Sequence, residues 1–281
     1  GTTLEIMVFL NLLFPFMEKA EWISIISSNP YFVEFIKEHF PKIPVIRHFE
    51  LNEDIGGRFS IASIMAAVCC YLAKLDFSEF QAGFREAKKS LILGENLLPQ
   101  QRGIARYLLF GKGKLLENLA TNSRKVLPTL RWGRQLWAES NGKEYKSMFI
   151  STGYYPEDAH SVGQIWKEGP RSITETFFLI QSDYQNDLPF SNTLTLPNEK
   201  IRAKTLGEIS DAFIEGIIED RIESGIPVLV YRLPRFDLKT WGKLMFNEMV
   251  AVIIEADFLG VNPFNQPGVE SYKNKVKKRI L

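Results

Sequence analysis

The chain has 281 residues, enough for one large domain or two of ordinary size. Its 34 basic and 33 acidic residues nearly cancel, which argues against a dominant nucleic-acid-binding or polybasic membrane-binding function but leaves room for a local cationic pocket. The apolar content of 45% and the charged content of 24% are those of a soluble globular protein.

The N-terminal segment is apolar, but Glu5, Asn11 and Pro15 interrupt it. It is too short to cross a bilayer, and it lacks the basic stretch and the cleavage site of a signal peptide. A buried helix over Thr3–Met17 is the better prediction. Because the chain begins with Gly1 rather than Met, we expect a fragment or a processed product.

The two cysteines, Cys69 and Cys70, are neighbours in the apolar run I-M-A-A-V-C-C-Y-L. Adjacent cysteines rarely form a disulfide, so we expect both to be buried packing residues in a reducing compartment. The sequence has no C-x-x-C motif and no spaced cluster of His and Cys, so a structural zinc site is not expected.

Strands alternate with helices along the whole chain. The predicted elements of the first part are a strand at Trp22–Ser28, a helix at Pro30–Phe40, a strand at Pro44–Phe49, a Gly-rich loop at Glu53–Ser60, a buried helix at Ile61–Leu75 and an amphipathic helix at Phe77–Glu95. The second part has predicted helices at Gln100–Gly111, Ser123–Ala138, Ala159–Glu168, Ile201–Ser224 and Leu238–Phe258, and predicted strands at Lys114–Asn118, Lys146–Thr152, Thr174–Gln181 and Pro227–Leu233.

This alternation indicates βαβ units and a mostly parallel sheet. Right-handed crossovers then build an α/β fold, a three-layer α/β/α sandwich. In such sheets, ligands lie beyond the carboxyl ends of the strands.

The segment Glu53–Ser63, E-D-I-G-G-R-F-S-I-A-S, is the first with candidate chemistry. Glycines such as Gly57 allow a ligand to approach the backbone closely, and Arg58 offers a planar fork to an anion. A glycine turn followed by a solvated arginine is the plainer interpretation, and Gly-Gly-Arg alone is a weak signal.

The second segment is G-R-Q-L-W-A-E-S-N-G-K, residues 133–143. Gln135 and Glu139 stand at i and i+4, so they share a helix face. Asn141 and Gly142 close the helix, which places Glu139 in its last turn, where a carboxylate can meet a substrate. For a single glutamate, a solvated helix end is the commoner explanation.

The third segment, E-D-A-H-S-V-G-Q, contains His160 near the predicted start of a helix. A helix N-terminus tends to keep an imidazole neutral, which suits proton transfer near pH 7. The other histidines, His39 and His48, lie in segments with little polar chemistry, and we interpret them as structural.

The fourth segment is F-N-Q-P-G-V-E-S-Y-K, Phe264–Lys273. Pro267 and Gly268 make a shaped turn, which can place Gln266 and Lys273 over a pocket. A loop that enters a solvated basic helix is the alternative. Taken together, a carboxylate, a His, a Lys and an Arg without metal ligands suit proton transfer on a carbonyl sugar or a phosphorylated small molecule.

These four segments, in this order, resemble the signature segments of the bacterial-type glucose-6-phosphate isomerases. Two departures are Asn265, where the family usually has Asp, and Ile64, where it has a small residue or Pro. The larger departure is at the start, where the Ser and Lys of the family's phosphate loop and the βαβ portion before it are absent. The opening G-T-T-L-E is similar to the end of the family's phosphate loop, so Thr2 and Thr3 would keep part of the phosphate cradle or cap a helix.

The resemblance implies an aldose–ketose isomerase of glycolysis and gluconeogenesis that acts through a cis-enediol. Glu139 would be the base. His160 and Lys273 would help to open the sugar ring, and Arg58 would stabilise the enediolate. The substrate-binding residues would be Thr2, Thr3, Gly57, Gln135 and Gln266.

The resemblance also implies a cytoplasmic protein without metal or cofactor, a sugar-phosphate substrate and no nucleic-acid or membrane partner. A homodimer is expected at full length, with His160 serving either its own site or that of a neighbour.

The resemblance also divides the chain into four parts. Residues 1–75 would be the end of an incomplete first sugar-isomerase (SIS-type) domain, and residues 76–96 a helical connection. Residues 97–260 would be a second such domain, and residues 261–281 an active-site segment with its helix. Two alternatives stay open: a non-catalytic sugar-phosphate-binding module of the same fold, and an inert fragment with exposed apolar surface.

Overall fold

The structure is a computed structural model that describes residues 12–13, 15–17, 19–43, 46–52, 55–181 and 204–280. The chain divides into two compact units, Gly1–Leu75 and Asp76–Leu281. The finer division into four parts stays a prediction. The predicted helix at Thr3–Met17 lies largely outside the described residues. Within that range, the described residues 12, 13 and 15–17 are helical.

The first unit contains a short parallel βαβ arrangement. Its elements are β1 (Ile23–Ser27), α1 (Pro30–His39) and β2 (Ile46–Glu50). Asn29 caps α1, because its Oδ1 accepts the backbone N–H of Tyr31 at 3.0 Å. The core of this unit joins α1 to β1 through buried apolar side chains, namely Ile25, Val33, Ile36 and Phe40.

Two predictions for this unit are wrong in detail. Part of the predicted Gly-rich loop is a 3₁₀ turn, Gly57–Ala62, which leads into α2 (Ile64–Leu72). Within α2, Cys70 is buried but Cys69 is exposed, so the two cysteines are not both packing residues. Successive residues of a helix point about 100° apart, so one cysteine can be buried while its neighbour faces solvent.

The second unit is built around one parallel sheet. Its strands are β3 (Leu116–Thr121), β4 (Phe149–Tyr154), β5 (Ile173–Ile180) and β6 (Val228–Leu233), and its helices are α3 (Phe77–Ile92), α4 (Leu98–Gly111), α5 (Leu127–Asn141), α6 (Gly163–Glu168), α7 (Leu206–Glu223), α8 (Leu238–Leu259) and α9 (Glu270–Ile280). The strand order is β4-β3-β5-β6, and all three pairings are parallel.

Helices cover both faces of this sheet. On one face, Ala120 and Phe177 pack against Ile214 and Ile218 of α7. On the other face, α5 lies so close that a Cβ atom added to Gly133 would be 3.3 Å from the side chain of Leu119. The predicted α/β class with parallel sheets is therefore confirmed.

Helix α8 packs against α3, α4 and α5. Its approach to α3 is close enough to require glycine on both helices. A Cβ atom on Gly83 would lie 1.9 Å from the carbonyl oxygen of Lys239, and one on Gly242 would lie 2.2 Å from that of Phe80. In the part of the chain that the structure describes, no helix is both long and apolar enough to cross a membrane.

Candidate active site

Glu139 and Gln135 occupy the outward face of α5, as the sequence predicts. Gln135 Nε2 donates to Glu139 Oε2 at 3.0 Å. Gln135 is exposed and Glu139 is half-buried. Since α5 ends at Asn141, Glu139 lies in its last turn. The Gln135 amide therefore holds one oxygen of the Glu139 carboxylate in place at the C-terminal end of α5.

The inward face of the same helical turn is hydrogen-bonded to α8. Trp137 Nε1 donates to Glu248 Oε2 at 2.8 Å. Asn141 Nδ2 donates to Glu255 Oε2 at 2.6 Å and to the carbonyl oxygen of Val252 at 3.1 Å. Because Trp137 and Asn141 are fully buried, the helix end that carries Glu139 cannot shift without breaking hydrogen bonds in the interior.

These bonds belong to a buried cluster of five charged residues that sequence reasoning missed: Arg102, Arg106, Glu117, Glu248 and Glu255. Glu117 pairs with both guanidinium groups, at 2.5 Å from Arg102, and Arg106 also reaches Glu255 at 3.2 Å. The Trp137 ring lies 4.2 Å from the Arg106 guanidinium carbon. All five residues are buried, so each charge depends on its partners.

Burial lowers the pKa of Arg106 to about 10, while Glu255 acts in the opposite direction. The guanidinium therefore stays charged at neutral pH. A sequence signal for this cluster existed, since Arg102 and Arg106 stand at i and i+4 and are the charged residues of α4, and Glu248 and Glu255 stand seven residues apart.

His160 lies on the loop that follows β4, outside any helix. The predicted helix at Ala159–Glu168 is wrong at its start, because α6 begins at Gly163. The cause is Asp158, whose Oδ2 accepts the N–H of Tyr154 at 2.6 Å and whose Oδ1 accepts the Ser161 hydroxyl at 3.0 Å. These bonds close the loop into a turn before the helix can begin.

The base of this loop is held by a second buried network. Tyr155 donates its hydroxyl to Glu175 Oε1 at 2.8 Å, and Arg221 donates to Glu175 Oε2 at 2.8 Å. Burial, together with the neighbouring Glu175 carboxylate, raises the pKa of the Tyr155 phenol well above its usual value. His160 itself is exposed, with its ring centroid 6.2 Å from that of Phe213.

Glu139 and His160 lie at opposite ends of the sheet. Helix α5 connects β3 to the parallel strand β4, so it runs against the strands and ends at their amino ends. His160 follows the carboxyl end of β4. Strand β4 has six residues, and at 3.3 Å per residue it separates the two positions by roughly 17 Å. The expectation that ligands bind beyond the carboxyl ends of the strands therefore agrees with the position of His160 but not with that of Glu139.

The C-terminal segment shares the end of the sheet where Glu139 lies. Helix α8 ends at Leu259, and Asn262 follows the left-handed cap at Gly260. Lys143 Nζ donates to the carbonyl oxygen of Asn262 at 2.5 Å. Beyond it, the predicted turn is a 3₁₀ turn at Pro267–Val269, which enters α9.

Gln266 and Lys273 are both half-buried. They stand four and eleven positions after Asn262, so the bond from Lys143 holds the start of their segment at the helix end that carries Glu139. Thr2 and Thr3 lie outside the described residues.

Arg58 belongs to the first unit and is only 3% exposed, so its interpretation as a solvated arginine is wrong. Its guanidinium carbon lies 5.4 Å from the Phe59 ring centroid. The 3₁₀ turn is closed by Ser60, whose hydroxyl donates to the Gly57 carbonyl at 2.7 Å. A Cβ atom added to Gly57 meets no atom within 4 Å, so among the described residues the space beside this backbone is open.

A cleft of about 350 Å³ lies beside the His160 loop, at the carboxyl ends of β3 and β4. Its lining residues are Arg124, Leu127, Arg131, Thr152, Tyr154, Glu157 and Asp158. Arg124 pairs with Glu157 at 3.0 Å. Two arginines face two carboxylates here, so the cleft is nearly neutral and does not favour a phosphate. Within the described ranges, no group of three or more His, Cys, Asp or Glu side chains is arranged to hold a metal ion.

Comparison with known proteins extends over most of the chain, although no family model matches it. The chain is 32% identical over 234 residues to the glucose-6-phosphate isomerase of Staphylococcus saprophyticus, and 31% identical over 233 residues to that of Lactiplantibacillus plantarum. Each alignment covers 81% of this chain, and 52% and 51% of the relative. The chain thus spans about half the length of the curated relatives it matches.

Solved structures share the fold. A hypothetical protein from Thermus thermophilus superposes with a TM-score of 0.76 at 23% identity, covering 92% of this chain and 62% of that one. A glucose-6-phosphate isomerase from Chlamydia trachomatis superposes with a TM-score of 0.66 at 15% identity, covering 92% of this chain and 58% of that one. The predicted resemblance is confirmed: the chain is a relative of the glucose-6-phosphate isomerases.

Proposed function

We propose that the protein to which this chain belongs interconverts glucose 6-phosphate and fructose 6-phosphate through a cis-enediol. The observation that carries the proposal is the placement of Glu139, in the last turn of α5 and bonded to Gln135 at 3.0 Å, beside the anchored start of the C-terminal segment. The sequence similarity to glucose-6-phosphate isomerases supports the same reaction. We also infer a cytoplasmic enzyme of glycolysis and gluconeogenesis.

Glu139 is the general base in this proposal. Its carboxylate takes the proton from C2 of the open-chain aldose and returns it to C1, while the C2 hydroxyl loses a proton and the C1 oxygen gains one, so that the aldehyde becomes a hydroxymethyl group and C2 becomes a ketone. A base must hold its orientation while the substrate reacts, and the bond from Gln135 restricts the rotation of the carboxylate. The other face of the same turn is buried against α8, which keeps the backbone of Glu139 in place.

The remaining roles follow the resemblance. Arg58 stabilises the negative oxygen of the enediolate. Lys273 and His160 move the protons that open the sugar ring. Gly57, Gln135, Gln266, Thr2 and Thr3 contact the sugar hydroxyls or the phosphate. The reaction moves protons between neighbouring carbon atoms and needs neither a metal nor a redox cofactor.

His160 completes the site of a second copy in this proposal. Within one chain, a strand length separates it from Glu139, because Glu139 lies before the amino end of β4 and His160 follows its carboxyl end. In a two-fold symmetric dimer, the loop that carries His160 in one subunit can lie beside Glu139 of the other subunit. We therefore infer a homodimer with shared sites.

The test compares turnover with binding. The 281-residue chain and the complete product of its gene are assayed with fructose 6-phosphate in a coupled reaction, without added metal and with a chelator. Binding of a non-reactive sugar phosphate is measured by calorimetry. Turnover supports the isomerase. Binding without turnover by the complete product supports the alternative, a non-catalytic sugar-phosphate-binding module, and loss of both contradicts the proposal.

A further inference from the structure

Lys143 joins two segments that the proposed site needs. Its ammonium group donates to the carbonyl oxygen of Ser140, the residue after Glu139, and to that of Asn262 at 2.5 Å. The first bond satisfies a carbonyl at the end of α5, where a cation is also favoured by the helix dipole. The second bond crosses 119 positions of sequence to the start of the C-terminal segment.

The loop that carries Lys143 has an unusual backbone. Glu144, Tyr145 and Ser147 have φ angles of 53°, 61° and 73°, in the left-handed region that non-glycine residues seldom adopt. Such conformations persist only where the surrounding structure imposes them. Lys146 supplies part of that constraint, because its Nζ donates to the carbonyl oxygen of Leu259 at 2.9 Å.

Both lysine bonds end on the same short stretch, residues 259–262, where α8 stops and the C-terminal segment starts. Helix α8 is itself held against α5 by the buried bonds from Trp137 and Asn141. The buried packing of α8 reaches Val261, and the bond from Lys143 connects the end of α5 to the next residue, Asn262.

We propose that Lys143 is a positioning residue, which sets the segment that carries Gln266 and Lys273 against the carboxylate of Glu139. The proposal rests on the isomerase function proposed above. Lys143 touches no reacting atom in it. The residue acts by holding two backbone carbonyls at one ammonium group, so that the base and the C-terminal side chains meet the substrate in one fixed geometry.

Three variants separate this role from general stability. Lys143→Met removes the donor and keeps the length of the side chain, and Lys143→Arg keeps the charge and the donors. Lys114→Met is the matched control, since Lys114 Nζ also bridges loops by donating to a backbone carbonyl, that of Arg171 at 2.5 Å, which is not part of the C-terminal segment.

Hydrogen exchange of the 281-residue chain tests the anchor without any need for turnover. We expect faster exchange over residues 262–273 in Lys143→Met, and wild-type exchange there in Lys114→Met and Lys143→Arg. In the complete gene product, kcat of Lys143→Met should fall about 10- to 100-fold, with KM changed less than about threefold, because geometry rather than ground-state binding is lost. Lys143→Arg should recover most of the lost kcat.

Two results would overturn the positioning role. One is faster exchange over 262–273 with kcat unchanged, and the other is a loss of kcat without faster exchange. Equal effects of Lys143→Met and Lys114→Met would overturn it as well. If the wild-type protein shows no turnover, the proposed function fails, while the exchange comparison still decides whether Lys143 anchors the segment. If Lys143→Met does not fold, Lys143→Gln takes its place, because its shorter side chain cannot bond both carbonyls, and faster exchange over residues 262–273 with a lower kcat is again expected.

Discussion

Asn141 and Glu255 meet in the interior between α5 and α8, with the amide Nδ2 2.6 Å from the carboxylate Oε2 and both residues fully buried. The bond lies two residues beyond Glu139, on the opposite face of the same helical turn. A buried polar contact of this kind fixes the end of one helix relative to another. The orientation of the proposed base thus depends on residues that never touch a substrate.

Asn141→Ala should destabilise the chain. The change leaves Glu255 without one of its donors in a fully buried site, and an unsatisfied buried carboxylate costs about 2–3 kcal/mol. Urea unfolding at pH 7 measures the change in the free energy of unfolding. The exposed Asn274→Ala on α9 is the control, expected within about 0.5 kcal/mol of wild type. Equal midpoints for both variants would show that the buried bond contributes nothing.

Glu139→Gln should abolish nearly all isomerase turnover in the complete gene product, by about 10³-fold or more, because the amide cannot accept the C2 proton. Binding of a non-reactive sugar phosphate should change little. Glu168→Gln is the matched control, since Glu168 also ends a helix and accepts a hydrogen bond from a glutamine four residues earlier, Gln164, at 2.7 Å. Near-normal turnover in Glu139→Gln would exclude Glu139 as the base.

Mixing two inactive variants tests whether His160 serves a neighbouring subunit. Glu139→Gln and His160→Ala are unfolded and then refolded together in equal amounts. If sites are shared across a two-fold dimer, half of the dimers are mixed and each mixed dimer has one intact site, so about a quarter of wild-type activity should return. If His160 acts in its own chain, the mixture stays inactive, and separate refolding of each variant sets the baseline.

The Arg232–Glu215 pair should make a pH-dependent contribution to stability. Two guanidinium nitrogens reach the carboxylate, one of them at 2.9 Å, and this bond lowers the pKa of Glu215 from its usual value of 4.5. A depressed folded-state pKa stabilises the fold above pH 4.5, and the contribution is lost as the pH falls through the folded value. Both side chains are partly exposed, so the effect should be within about 1 kcal/mol.

Glu215→Gln checks this contribution in urea unfolding from pH 7 down to pH 3. The wild-type protein should be the more stable at pH 7, and the difference between the two proteins should shrink below pH 4.5. A difference that stays constant with pH would mean that the pair acts through packing rather than charge.

Cys69 should react with iodoacetamide faster than Cys70. Cys69 is exposed, whereas burial and the neighbouring Cys69 raise the pKa of the Cys70 thiol, so less of it is thiolate near neutral pH. The Cys69→Ser and Cys70→Ser variants each keep one cysteine. Each folded variant is alkylated for a series of times, and mass spectrometry of the peptide that carries the remaining cysteine gives its rate. Equal rates in the native state and in urea would contradict the burial of Cys70.

Three properties could be predicted from the sequence: the α/β class, the order of the strands and helices in the described part, and the shared face of Gln135 and Glu139. These properties follow from local periodicity and from the i to i+4 geometry of a helix, which neighbouring residues set among themselves. The turn at Asp158 escaped prediction, because a side chain that bonds to backbone N–H groups competes with helix formation without changing the apolar pattern.

The positions of the candidate residues relative to one another depend on the packing of the whole fold. Glu139 and His160 belong to motifs 21 positions apart, yet the direction of α5 between parallel strands places them at opposite ends of the sheet. Contacts such as Trp137 with Glu248 and Lys143 with Asn262 join residues more than 100 positions apart, and the path of α8 brings them together. Such contacts depend on the packing of whole elements, which no local stretch of sequence encodes.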